Sequence, residues 1–107
     1  MYNWFEVDMS SRINELPPKM VTAILPAYNE AGRIGNVLAV LRDVKGLQEI
    51  IVVDDGSKDG TLDEVSRAAV SDPRLRIIKH ETNRGKGEAI FTGSKAASTP
   101  YLLFLDS

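Results

Sequence analysis

The sequence has no cysteine. That excludes a disulfide framework and a cysteine-based zinc site, and it suits a reducing compartment. Histidine occurs once, as His80. It has no nucleophile or metal partner beside it and reads as a surface or strand-end residue. Positive charge is not in excess: 13 Lys and Arg stand against 15 Asp and Glu, a formal net charge of −2. Nucleic-acid binders carry a basic stripe, so no nucleic-acid partner is expected. No apolar run approaches the roughly 18 residues of a membrane span. Met1–Glu6 lacks a basic segment followed by an apolar one, so no signal peptide is expected. Repeats, low-complexity tracts and blocks of like charge are also missing.

What is present is a chain of 107 residues, 43% hydrophobic and 26% charged, enough for one small domain with a modest core. Residues 1–19 are weakly patterned and end in Pro17-Pro18. They read as an N-terminal extension, with at most a helical turn around Trp4 and Phe5. From Met20 the texture changes. Val21–Leu25 is a short apolar run stopped by Pro26, a buried strand. Ile34, Val37, Leu38, Leu41 and Val44 recur at helical spacing, predicting a helix from about Gly32 to Asp43. Ile50–Val53 is a second strand. Leu62, Val65 and Ala69 mark a second helix capped by Asp59 or Thr61. Leu75–Lys79 is a third strand. Ala89, Gly93 and Ala97 give a third helix a small-residue face that can lie close on a sheet. Tyr101–Leu105 is a fourth strand, ending at Asp106.

Apolar strands alternating with helices imply a parallel sheet covered on both faces, a Rossmann-like α/β layer. In such a sheet the crevice lies beyond the carboxyl ends of the strands. There the sequence collects Pro26-Ala27-Tyr28-Asn29-Glu30, Asp54-Asp55-Gly56-Ser57-Lys58-Asp59-Gly60, Asn83-Arg84-Gly85-Lys86-Gly87-Glu88, and Asp106. Tyr28 can offer a flat face to a base, and Glu30 can accept hydrogen bonds from ribose hydroxyls. Asp54 or Asp55 can accept an N–H from a pyrimidine. Lys86, between glycines at a helix start, can approach a diphosphate. Asp106 can help hold a divalent cation, because hard cations prefer carboxylate and phosphate oxygens.

Each piece also has a plainer explanation. Asp-Gly-Ser is common turn chemistry, and Asp59-Gly60-Thr61 serves equally as a turn and helix cap. Lys86 alone is an ordinary surface lysine, and Pro26 an ordinary strand stop. Ser57 has no histidine nearby for a hydrolase pair. Gly85-Lys86-Gly87 lacks P-loop spacing, and no Gly-x-Gly-x-x-Gly follows the first strand. Residues 55–60 imitate half a calcium loop, but its twelfth position is Ser66 rather than Glu. A receiver-like signalling domain would need a fifth strand.

Taken together, Leu25–Glu30, Val52–Thr61, Arg84–Ala89 and Leu103–Asp106 resemble glycosyltransferase family 2 in order and spacing across about residues 20–107. The Gly-Lys-Gly-Glu-Ala segment is similar to glucosyl-3-phosphoglycerate synthases. The Asp-Asp-Gly-Ser-x-Asp-Gly-Thr loop is similar to dolichyl- and polyprenyl-phosphate sugar synthases. The resemblance implies the first half of a GT-A fold and transfer of a hexose from a UDP- or GDP-sugar to an unknown acceptor hydroxyl or phosphate. Pro26, Ala27 and Tyr28 would surround the base, Glu30 would bind ribose, and Asp55 would contact the base with Asp54 supporting its loop. Lys86 would approach the diphosphate. Asp106 would be the first Asp of an Asp-x-Asp motif holding Mg²⁺ or Mn²⁺. Ser107 then matches the middle of that motif, so residues 20–107 are expected to be a donor-binding subdomain cut after strand four. No catalytic base is assigned, and the chain by itself is expected to bind without turnover. Self-association through an uncovered sheet edge is expected, as is a cytoplasmic location, with the inner face of a membrane as the alternative for a full-length parent.

Overall fold

The computed structural model describes residues 20–106, so the reading of residues 1–19 and of Ser107 lies outside the described residues. The elements run β1 (Val21–Ala27), α1 (Ile34–Arg42), β2 (Leu47–Asp55), α2 (Thr61–Ser71), β3 (Leu75–His80), α3 (Lys86–Ala96) and β4 (Tyr101–Phe104). All pairings are parallel, in the order β3-β2-β1-β4.

Side-chain alternation divides the core between the two faces of the sheet. Ala23, Leu25, Ile50 and Val52 pack with Ile34, Leu38 and Leu41 of α1 and Val65 of α2. Ile24, Ile51 and Val53 face the other way and pack with Ala89 of α3. The small-residue face of α3 therefore does what its spacing predicts. A Cβ added at Gly93 would come within 2.7 Å of Ile24 Cγ2, so the helix lies closer to the sheet than any side chain at that position would allow.

Two strands are longer than their apolar runs, and Pro26 is the instructive case. It lies inside β1 rather than ending it. Ile24 accepts from the Leu105 N–H at 3.0 Å, and Met20 accepts from the Tyr101 N–H at 3.1 Å. Even-numbered β1 residues thus point their peptide groups at β4, and on that side Pro26 has a carbonyl but no N–H. The β1–β4 pairing ends at Ile24↔Phe104, whereas β1–β2 continues to Ala27↔Asp54. Likewise β2 runs on through Asp54 and Asp55, which are ladder residues rather than the loop after it.

α1 is shorter than expected because Gly32 takes a left-handed φ of +85°. Both helix ends are held by side chains from elsewhere. Glu64 of α2 accepts the Gly32 and Gly35 N–H groups at 2.8 and 2.7 Å. Arg74, before β3, donates to the carbonyls of Leu41, Arg42, Val44 and Leu47 at 2.6–3.3 Å. An anion at the N-terminus and a cation at the C-terminus both suit the helix dipole. Among the described residues, no helix is long and apolar enough to cross a membrane.

Candidate functional site

Consecutive strands β1, β2 and β3 proceed in one direction, and β4 then returns to the other side of β1. The order reverses between β1 and β4, which is where open α/β sheets form their ligand crevice. A cavity of about 410 Å³ opens there, lined by Pro26, Ala27, Tyr28, Glu30, Asp55, Asn83, Gly85, Lys86 and Asp106. Seven of the eight residues singled out from the sequence line it. Asp54 does not. It follows Val52 on the α1/α2 face, is 1% exposed, and accepts the Ser57 N–H at 3.3 Å. Asn83, which the sequence reading did not select, does line the cavity.

The first wall is the segment after β1. Tyr28 is half-exposed, and Asn29 has a φ of +51°. This turn is clamped from behind by the loop after β2. Asn29 N–H donates to Ser57 Oγ at 2.9 Å, and its Oδ1 accepts the Lys58 N–H at 3.0 Å. Glu30 N–H donates to Thr61 Oγ1 at 2.7 Å, and Ala31 N–H to Asp59 Oδ2 at 3.2 Å. Asp59 also accepts the Thr61 N–H at 2.9 Å, satisfying the start of α2. The Ser57–Thr61 loop is thus both turn chemistry and scaffold. It holds the wall without entering the cavity.

The floor is Asp55, on the α3 face and 3% exposed. Its Oδ1 accepts from the Arg84 N–H and pairs with His80 Nδ1, at 2.9 and 2.8 Å, and its Oδ2 accepts from the Gly85 N–H at 2.9 Å. Gly85, with φ +97°, cannot cap α3 with a side chain of its own, so Asp55 supplies the anion at that helix start. Burial raises the Asp55 carboxyl, but the Arg84 and Gly85 N–H groups and His80 outweigh it and hold the carboxyl below its ordinary value. His80 ends β3 as expected but is buried rather than on the surface. Its Nε2 lies 2.8 Å from Thr92 Oγ1. Because an ionised carboxylate can only accept, Nδ1–H donates to Asp55.

At the mouth, Lys86 Nζ meets Asp106 Oδ1 at 2.6 Å, and Glu30 pairs with Arg33 at 2.7 Å. The Lys86–Asp106 pair is exposed and of the kind worth under about 1 kcal/mol, so an anionic ligand can displace it, whereas Glu30 is partly buried beside an exposed Arg33. Asp106 is the carboxylate that Lys86 pairs with. Among the described residues, no three His, Cys, Asp or Glu side chains group to hold a metal. A hard cation wants about six oxygen ligands, and these residues do not supply such a set by themselves. A second cavity of about 200 Å³ lies between α1 and α2, lined by Leu38, Arg42, Ile50, Asp72 and Leu75 among others. It sits away from the carboxyl ends of the strands, and its Asp72 is already bound to Arg74.

At the other end of the strands, Glu49 is buried and accepts from Thr22 Oγ1 at 2.8 Å, the Ser98 N–H at 2.6 Å and Arg76 at 3.1 Å. Burial raises this carboxyl, and those donors more than reverse it. Asp55, Glu64 and Asp72 are lowered too. A carboxyl with a depressed folded pKa contributes stability above its unfolded pKa and loses it as pH falls through the folded value. Urea midpoints should therefore be level above about pH 5 and fall steadily below about pH 4. A midpoint unchanged down to pH 3 would show that these networks contribute nothing.

The family model for glycosyl transferase family 2 matches residues 22–107. A dolichyl-phosphate beta-glucosyltransferase of Dictyostelium discoideum is 35% identical over 98 residues, covering 81% of this chain and 30% of that protein. The structure of glucosyl-3-phosphoglycerate synthase from Mycobacterium tuberculosis, with Mn²⁺, UDP and glucosyl-3-phosphoglycerate, superposes with a TM-score of 0.68 at 26% identity, covering 99% of this chain and 38% of that one. A mannosyltransferase from Pyrobaculum calidifontis, with GDP-Man and Mn²⁺, gives 0.69 at 28% identity, covering 92% and 32%. The chain spans about a third of the length of the curated relatives it matches.

Proposed function

The chain belongs to glycosyl transferase family 2, and from that premise we propose that its cavity holds the nucleoside diphosphate of a sugar donor. The protein to which this domain belongs would transfer a hexose from that donor to an acceptor hydroxyl or phosphate. The observation that carries the reading is the convergence of Tyr28, Glu30, Asp55, Lys86 and Asp106 on one cavity at the switch point of the sheet. Tyr28 and Pro26 offer surface to the base, Asp55 an acceptor, and Glu30 an acceptor for ribose hydroxyls. Lys86, in the first turn of α3, meets the diphosphate. Asp106 is the residue that would touch Mg²⁺ or Mn²⁺, which neutralises charge on a diphosphate leaving group when bound. The solved relatives carry Mn²⁺ with UDP or GDP-Man. With Asp106 alone assigned to the cation, most of its other ligands would have to come from phosphate, water or further chain.

A second reading rests on the same cavity: the chain binds donor without turning it over. Deprotonating an acceptor needs an available base. Among the described cavity residues, Asp55 already accepts from three donors, Glu30 is paired with Arg33, and Asp106 with Lys86. The purified chain is therefore expected to bind a nucleoside diphosphate but show no sugar transfer in a radiolabel assay.

The test of donor binding is a calorimetric titration of the wild type and Lys86→Met with UDP and with uridine. The variant should weaken UDP by about tenfold, the effect of losing one charged contact to phosphate, and leave uridine unchanged. Equal loss for both ligands would remove Lys86 from the diphosphate subsite. Binding of no nucleoside diphosphate by the wild type would remove the proposal.

A further inference from the structure

Resting on the donor-binding reading above, we propose that the donor base is uracil, and that His80 sets this preference by closing one oxygen of Asp55. An ionised carboxylate has about four acceptor positions, two on each oxygen. Three are taken inside the protein. Oδ1 receives both His80 Nδ1–H and the Arg84 N–H, and Oδ2 receives the Gly85 N–H. One position remains, on Oδ2, in a side chain that lines the cavity and is otherwise buried.

A single acceptor discriminates among bases. Uracil presents one imide N–H between two carbonyls. Guanine presents two neighbouring donors, N1–H and the N2 amino group, which call for both oxygens of a carboxylate. With Oδ1 closed, one guanine donor would be desolvated without a partner, which costs affinity. Adenine and cytosine would turn a ring-nitrogen lone pair toward the carboxylate. Asn83 completes the match. It lines the same cavity, and its Nδ2 donates to the Asp55 carbonyl at 3.3 Å. That amide has a second hydrogen, the partner that a base carbonyl beside the imide requires.

His80 is thus a positioning residue. It touches Asp55 and Thr92. It acts by choosing which carboxylate oxygen stays open. The test is a pair of titrations, UDP and GDP, without divalent metal, on the wild type, His80→Leu and His80→Asn. The wild type should favour UDP by at least about tenfold. His80→Leu opens a position on Oδ1 and should bring the UDP:GDP ratio toward one, chiefly by strengthening GDP. His80→Asn keeps a donor near the place of Nδ1 and should retain the preference. Should His80→Leu fail to fold, the wild-type ratio and His80→Asn still decide. GDP binding as tightly as UDP to the wild type would overturn this inference while leaving the donor-binding reading intact. So would an unchanged ratio in a folded His80→Leu. Binding of neither nucleotide by the wild type would overturn both.

Discussion

Asp55→Ala should abolish saturable UDP binding and lower stability by about 2–4 kcal/mol, measured by calorimetric titration and urea unfolding. The size of the effect follows from how much depends on one carboxylate. It joins the end of β2 to the end of β3 through His80, and to the start of α3 through the Arg84 and Gly85 N–H groups. Its removal leaves the buried His80 and two part-buried N–H groups without their acceptor and releases the segment that sets Lys86 beside the cavity. Asp55→Asn should lose most of the same function, because all three partners donate and an amide turns a fourth donor among them. UDP binding by Asp55→Ala within about threefold of wild type would rule out Asp55 as the cavity's organising acceptor; tenfold corresponds to 1.4 kcal/mol.

Gly56→Ala should be the most damaging of the glycine substitutions, at about 3–5 kcal/mol. A Cβ there would sit 2.6 Å from the Asn83 nitrogen and 2.7 Å from the Thr82 carbonyl carbon, at a φ of +78°. The obstruction is backbone, so no side chain can swing away. Gly32→Ala is the control. Its φ is +85°, but nothing lies within 4 Å of the added carbon, so it pays only the left-handed conformation, about 1–2 kcal/mol. Thermal or urea unfolding of the two variants separates the terms. Equal losses would mean that the close approach of the two loops is immaterial. In a domain of 107 residues, whose total stability is about 5–15 kcal/mol, Gly56→Ala should also weaken nucleotide binding, since the chain it displaces includes Asn83.

Much of this architecture was legible because its signals are local. The apolar runs of β1 and β2, the helical spacing of α1, and the Ala89–Gly93 face of α3 all announce themselves within a few residues. Polar segments following each strand, in a parallel sheet, locate the cavity edge without coordinates. What escaped depends on partners far apart in the chain. Glu49 looks like a solvated strand residue until Ser98, Arg76 and Thr22 are seen around it. Glu64 and Arg74 look like ordinary surface charges, and they cap α1 from two other elements. His80 reads as a surface or strand-end residue; it does end β3, but its burial stays hidden because the Asp55 that it binds lies 25 positions away. Pro26 reads as a strand stop, yet β1 runs through it to Ala27. The Asp54-Asp55 pair illustrates both limits. Two adjacent acids on a strand must point to opposite faces, so only one could enter the cavity, and choosing between them required knowing which face α3 covers.

The central claim is that a nucleoside diphosphate binds at the carboxyl ends of β1, β2 and β4. Amide chemical-shift mapping of the isotope-labelled chain during a UDP titration tests it most directly. The account predicts saturable shifts at Ala27, Tyr28, Asn83–Lys86 and Asp106, with the Glu49–Ser98 network and the α1–α2 cleft undisturbed. Saturable shifts confined to Leu38, Arg42 and Asp72 in that cleft, or no saturable shift at all, would contradict it.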